Sequence, residues 1–234
     1  MYSDHQESFG NYTAILREEL VPAMGCTEPI AIAYAAAKAK ELLGEEPLRI
    51  TVDCSGNIIK NVKGVTVPNS GGQKGIAVAA VLGITGGDAS KELEVIAGAD
   101  DAARARCKEL VYAGFCEVNH AEDVPNLYIS AKIRGEAHSA EVVIEHHHTN
   151  IVRMTRDGVL VFSKEAEEEA AEAQAAANAA DRSAMTLRGI LDYANGVDIS
   201  EVSEVLARQL RYNSAISQEG LDHVWGAQIG KTML

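Results

Sequence analysis

A thiol stands directly before an alanine-rich run. Gly25-Cys26-Thr27-Glu28-Pro29 leads into Ile-Ala-Ile-Ala-Tyr-Ala-Ala-Ala-Lys at 30–38. A cysteine in its thiolate form is a nucleophile, a base or a metal ligand. No proline or glycine follows Pro29 until Gly44, so the run reads as helix. Thr27 is a good N-cap, Glu28 suits the positive end of the helix dipole, and Pro29 falls in the first turn, where a missing N–H costs little. Cys26 then sits just ahead of free backbone N–H groups, which favour thiolate over thiol. Against this stands a buried, inert thiol, the common fate of free cysteines. Local context weighs the two evenly, because a histidine partner cannot be located from sequence.

Two other stretches carry polar groups at suggestive spacing. Asn69-Ser70-Gly71-Gly72 opens a glycine-rich loop that ends at Gly75, ahead of an apolar helix at 76–82. Free N–H groups at a helix start bind phosphate or carboxylate. The loop matches neither the P-loop nor the dinucleotide fingerprint, and taken alone it reads better as a plain turn. His146-His147-His148 precedes Thr149-Asn150. On a strand only His146 and His148 share a face, and a metal site needs a third ligand. A polar strand end or a hydrogen-bonding substrate loop is the better reading, and a zinc hydrolase built on these histidines ranks low. Cys54, Cys107 and Cys116 show no ligand spacing and read as core. No metal ligand set is expected within this chain.

The elements that must position these groups follow from periodicity and turn chemistry. A helix is expected over 11–20, ended by Pro22. Residues 48–54 alternate as a strand, and 57–64 suit either a short helix or an extended segment. Residues 90–97 and 100–113 read as helices, with Gly114 at C′. A short strand at 116–120 precedes hairpins at 127–145, turned near Gly135, and at 151–162, turned by Arg156-Asp157-Gly158. The 165–182 stretch, almost all Ala and Glu, is a solvated helix or linker. Helices resume at 185–194 and at 199–212, the latter capped by Asp198 or Ser200. The chain stops at Lys231-Thr-Met-Leu234 without a cap, as if cut.

Charge narrows the partners. The 234 residues carry a formal net charge of −13 and a pI near 5.0, which repels nucleic acid and anionic membranes. No run is apolar and long enough for a bilayer span, and no signal peptide is seen. Four cysteines without a CxxC pair read as reduced thiols of a cytoplasmic protein.

Gly25-Cys26-Thr27-Glu28-Pro29 resembles the opening motif of the L-cysteine desulfidase family, itself related to the iron–sulfur L-serine dehydratases. Gly64-Val-Thr-Val-Pro68, His148-Thr-Asn-Ile-Val152, Ser217-Gln-Glu-Gly-Leu221 and Trp225-Gly226 with Ile229-Gly230 match in the same order, so the resemblance spans nearly the whole chain. It implies a lyase that turns L-cysteine and water into hydrogen sulfide, pyruvate and ammonia. A [4Fe-4S] cluster would supply an open iron as Lewis acid, and Cys26 would be the proton acceptor. The family's cluster cysteines lie in a C-terminal helical segment beyond Leu234, so this chain resembles an N-terminal part and would be inactive alone.

The resemblance implies an α+β fold. Both chain ends (1–45 and 183–234) form a helical layer around an inserted α/β domain (46–164), with the 165–182 stretch as helix or linker. It adds weight to Thr27, Glu28, Asn69, Ser70, Gly71, Gly72, His148, Thr149 and Asn150 as contacts for L-cysteine or L-serine. The alternatives are a serine dehydratase-like deaminase and a non-catalytic amino-acid-binding module. Apolar faces at 185–194 and 199–212, bare without the missing segment, are expected to self-associate.

Overall fold

The computed structural model describes residues 2–23, 25–164, 180–225 and 227–234, with side-chain environments from Phe9 onward, Ala184 aside. The Ala/Glu-rich stretch at 165–179 lies outside the described residues. The architecture is α+β, with helices at both chain ends and one six-stranded mixed sheet. The chain divides into two compact units, Ala23–Gln174 and the pair Met1–Pro22 with Ala175–Leu234.

In the larger unit, α2 (Thr27–Leu43) leads into β1 (Arg49–Ser55), α3 (Gly56–Val62), α4 (Ile76–Gly86), a 3-10 turn (Ala89–Glu94) and α5 (Asp101–Tyr112). Strands β2 (Cys116–Ala121), β3 (Tyr128–Arg134), β4 (Ser139–Glu145), β5 (Ile151–Arg156) and β6 (Val159–Ser163) complete it. The strand order is β2-β1-β3-β4-β5-β6, with β1 and β2 parallel and all other pairs antiparallel. The parallel pair is joined through α3, α4 and α5, as a parallel crossover requires. The segment at 57–64, ambiguous in sequence, becomes α3 because Ser55 Oγ accepts from the Ile58 N–H and caps it.

The period-2 pattern puts Ile50, Val52 and Cys54 of β1 on one sheet face, in register with Ile133, Ala131 and Ile129 of β3. Ala140, Val142 and Ile144 of β4 continue that face, and all nine are buried. α2 packs on β3 and β4, and α4 packs on α2 and over β1 and β2. From Pro29 to Ala37 every residue of α2 is buried, as an alanine-rich run without a polar face requires. A side chain at Gly83 would run into the backbone of Ala33, so the glycine lets α4 lie directly on α2. The opposite sheet face is polar. There Asp53 holds Lys132 at 2.6 Å, while Glu141 accepts from Ser130 at 2.8 Å and pairs with Arg153 at 3.4 Å.

In the smaller unit, α1 (Tyr2–Glu19) belongs with α6 (Leu187–Gly196), α7 (Ile199–Asp222) and α8 (Ile229–Met233). Its core is a cluster of Tyr12, Tyr193 and Val202, with Phe9, Leu16, Val197 and Leu206 against it. Tyr193 stacks on Tyr12 with centroids 5.3 Å apart and exchanges a 2.8 Å hydrogen bond with Thr13. The division therefore falls at Pro22 rather than near residue 45. α2 joins the sheet because its apolar surface is buried on β3, β4 and α4.

Candidate functional site

The start of α2 collects the site. Cys26 itself is the N-cap, with extended backbone (φ −60°, ψ 118°), and Thr27 is the first helical residue rather than the cap. The Thr27 hydroxyl is used otherwise, in a 3.1 Å hydrogen bond with His148 Nε2. The Cys26 thiol donates to Glu28 Oε2 at 3.1 Å, and Asn61 Nδ2 of α3 donates to Glu28 Oε1 at 3.3 Å. Three chain segments thus meet: the GCTEP stretch, α3, and the turn between β4 and β5. Each of Cys26, Thr27, Glu28 and His148 is half-buried.

The electrostatics differ from a free thiolate at a helix start. Burial pushes the Cys26 thiol up, and the Glu28 carboxylate adds to this by hydrogen bond and by charge. The backbone N–H of Glu28 pulls the other way and loses. The helix terminus therefore does not lower the thiol as expected: burial first and the Glu28 carboxylate second hold it above its ordinary value. Glu28 itself is held below the usual carboxylate range, first by the Cys26 hydrogen bond and further by Asn61 and the His148 charge. Burial pushes His148 down, so the imidazole is favoured in its neutral form.

The turn explains the histidine run. His146 adopts a positive φ of 65°, and His146 N–H donates to the Leu127 carbonyl while His147 N–H donates to Glu145. The three histidines do not alternate along a strand. His148 turns to Thr27, and His146 lines a cleft on the polar sheet face. Asn150 closes the turn through Nδ2 to the Glu145 carbonyl at 2.8 Å, and its Oδ1 accepts from Lys164 at 2.7 Å. Thr149 lies in the same turn, where its carbonyl accepts from Ile151 N–H. Among the described residues, no group of three or more His, Cys, Asp or Glu is placed to hold a metal ion.

The glycine loop is built for its own shape. Asn69 sits at φ 54°, donates to the carbonyls of Ile96 (2.8 Å) and Ala99 (3.0 Å), and accepts from Arg104 at 2.7 Å. Ser70 is buried and donates to the Gln73 carbonyl at 2.9 Å. Gly71 and Gly72 take φ of 71° and 86°, the left-handed region that favours glycine. The polar side chains of Asn69 and Ser70 thus close the loop and tie it to α5. Pro68, just ahead of it, lies beside Gly25.

Asn61 escaped the sequence reading. Nothing in the 57–64 pattern marks it, since only the fold carries α3 to the start of α2. The cleft of about 420 Å³ lined by Tyr128, Glu145, His146, Arg153, Ser163 and Lys164 escaped as well, because its residues come from four separate strands and their ends.

The chain is similar to UPF0597 proteins of several bacteria. That of Lachnoclostridium phytofermentans is 44% identical over 220 residues, which are 94% of this chain and 51% of the relative. That of Treponema denticola is 41% identical over 226 residues, 95% and 51% of the respective chains. That of Desulfitobacterium hafniense is 38% identical over 236 residues, 100% of this chain and 54% of the relative. The chain spans about half the length of the curated relatives it matches. No family model matches it. Among the described residues, no helix is long and apolar enough to cross a membrane.

Proposed function

We propose that this chain is the N-terminal part of an iron–sulfur-dependent, cytoplasmic amino-acid lyase that acts on L-cysteine. One observation carries the reading. Cys26, Thr27 and Glu28 from one matched motif and His148 from another, more than a hundred residues apart in sequence, converge on a half-buried polar cluster at a helix start. A thiol, a carboxylate and a neutral imidazole so placed can bind an amino acid's ammonium and exchange a proton at its α-carbon. Cys26 is the proton acceptor once deprotonated. Thr27 and His148 orient each other, and Asn61 fixes Glu28.

The four cysteines do not form a cluster site. Cys54 faces the core on β1, Cys107 donates its thiol to the Val78 carbonyl inside the helical layer, and both are buried. Burial pushes the Cys54 and Cys116 thiols up to about 12. On this reading the ligands of a cluster belong to a further helical segment beyond Leu234.

A second reading, an amino-acid-binding module without catalysis, is favoured by the cleft on the sheet face. There Arg153, Lys164 and Glu145 line one cleft of about 420 Å³.

The deciding experiment joins the chain to the C-terminal half of a relative under anaerobic iron loading. Sulfide release from L-cysteine, lost in Cys26→Ser, supports the lyase. A folded, iron-loaded protein that releases no sulfide overturns it in favour of the binding module.

A further inference from the structure

The arrangement around Cys26 is specific in a way that a lone thiol at a helix start is not. Both oxygens of Glu28 are occupied: Oε2 accepts from the thiol and Oε1 from Asn61. The carboxylate is thus fixed as an anion against sulfur. Two influences compete there. The free N–H groups of α2 favour negative charge on sulfur. Partial burial opposes it first, and the Glu28 anion at 3.1 Å adds to that opposition.

Glu28 does not take the thiol's proton either. Ordinary values of roughly 8.5 for a thiol and 4.3 for a glutamate already favour the proton on sulfur by about ten-thousandfold. The site moves the two groups further apart. The other titratable group facing Glu28 is His148, from the β4–β5 turn, and burial disfavours its charged form. Among the described residues, His148 is thus the counter-charge that faces Glu28.

We propose that Glu28 is a lock on Cys26: it holds the thiol protonated until a ligand's ammonium group seats on the carboxylate and releases the thiolate. The ligand class is a small molecule with a primary ammonium adjacent to the carbon to be deprotonated, and the inference rests on the amino-acid reading above. On release the S–H bond breaks heterolytically, the electron pair stays on sulfur, and the proton passes to water. The α2 N–H groups then hold the thiolate beside the ligand's α-carbon. The ligand thereby makes its own base, and an empty site keeps a thiol that is slow to alkylate or oxidise.

The test needs no turnover and uses this chain as it stands. Alkylation of Cys26 by iodoacetamide is followed against pH by peptide mass, in wild type, Glu28→Gln, Glu28→Asp and Asn61→Ala, with Cys26→Ser as blank and circular dichroism to confirm folding. Glu28→Gln keeps the shape and removes the charge. It is expected to move the profile down by about one pH unit and to speed alkylation near neutral pH about tenfold. Glu28→Asp keeps the wild-type profile or lies between, and Asn61→Ala gives a smaller shift than Gln.

L-alanine serves as the ligand probe because its β-carbon has no leaving group. It is expected to move the wild-type profile down and leave Glu28→Gln unmoved. Superimposable profiles for wild type and Glu28→Gln overturn the lock. An L-alanine effect that is absent in wild type, or equal in both, overturns the ligand release. Shifted profiles with no sulfide release from the joined protein would leave the lock standing and sink the lyase reading alone.

Discussion

The unit around α2 closes its apolar surface on itself, whereas the unit formed by the two chain ends leaves much of its own open. In the first, Ile30, Ile32, Ile50, Val52, Leu82 and Ile144 are fully buried in one continuous cluster. In the second, the cluster is Tyr12, Tyr193 and Val202, while Leu210 is 66% exposed, Ile216 67% and Trp225 63%. Both use amphipathic or apolar helices with sound caps: Asp100 on α5, Asp198 on α7 and Thr186 on α6. Capping is alike in the two, and what differs is whether a sheet is present to receive the apolar face. Exposed Leu210 and Ile216 on α7, with Trp225 just beyond its end, are the kind of apolar side chains that an interaction surface presents. The relatives' unmatched half, roughly as long again as this chain, is the occupant the lyase reading assigns to it.

The widest gap between the units should appear in core truncation. Ile32→Ala, deep in α2, is expected to cost about 2–5 kcal/mol, read as a lower denaturant midpoint at unchanged slope. A loss under about 1 kcal/mol would show that α2 is less tightly enclosed than its burial states.

Self-association comes next. The chain is expected to form dimers or larger species through α6 and α7 in light scattering, and Leu210→Ser with Ile216→Ser to reduce them severalfold. A strictly monomeric wild type at high concentration removes the exposed face as a docking surface. A smaller effect attends Tyr193→Phe, which deletes the hydrogen bond with Thr13 but keeps the stacked ring, for about 1 kcal/mol. Leu210→Ser alone should alter stability by no more than about 0.5 kcal/mol, since the side chain is already in water.

The pH dependence sharpens the comparison at the site. His148 and Glu28 both have folded values below their ordinary ones, so the unfolded chain binds protons more readily than the folded one. Their contribution to the larger unit is complete above about pH 6.5 and is lost as pH falls, through the His148 range first and the Glu28 range below about pH 4. His148→Gln should flatten the upper part of this loss in thermal melts taken from pH 7 to pH 5. An unchanged slope would mean that His148 titrates as it does in the unfolded chain.

Much of the scaffold was legible in the residues. The alternation at 48–54 fixed β1, Gly135 and Asp157-Gly158 marked both hairpin turns, and Asp100, Gly114 and Asp198 bounded their helices within a residue or two. The all-round apolar surface of 30–37 announced a buried helix, as the structure has it. The candidate site was legible in part. Cys26, Thr27, Glu28 and His148 stood out by type and motif, and the fold unites them. Asn69 and Ser70 stood out equally, yet their polar atoms serve the loop. Composition cannot tell a polar side chain that waits for a ligand from one that closes its own turn, since both need the same donors and acceptors.

By itself the sequence determined the periods, the caps and the turns, because these are set within a few residues by backbone sterics and short hydrogen bonds. Tertiary structure alone decided that α2 belongs to the sheet, that Asn61 reaches Glu28, and that His148 reaches Thr27. Those three facts depend on groups brought together across long stretches of chain, which no local pattern of residues encodes.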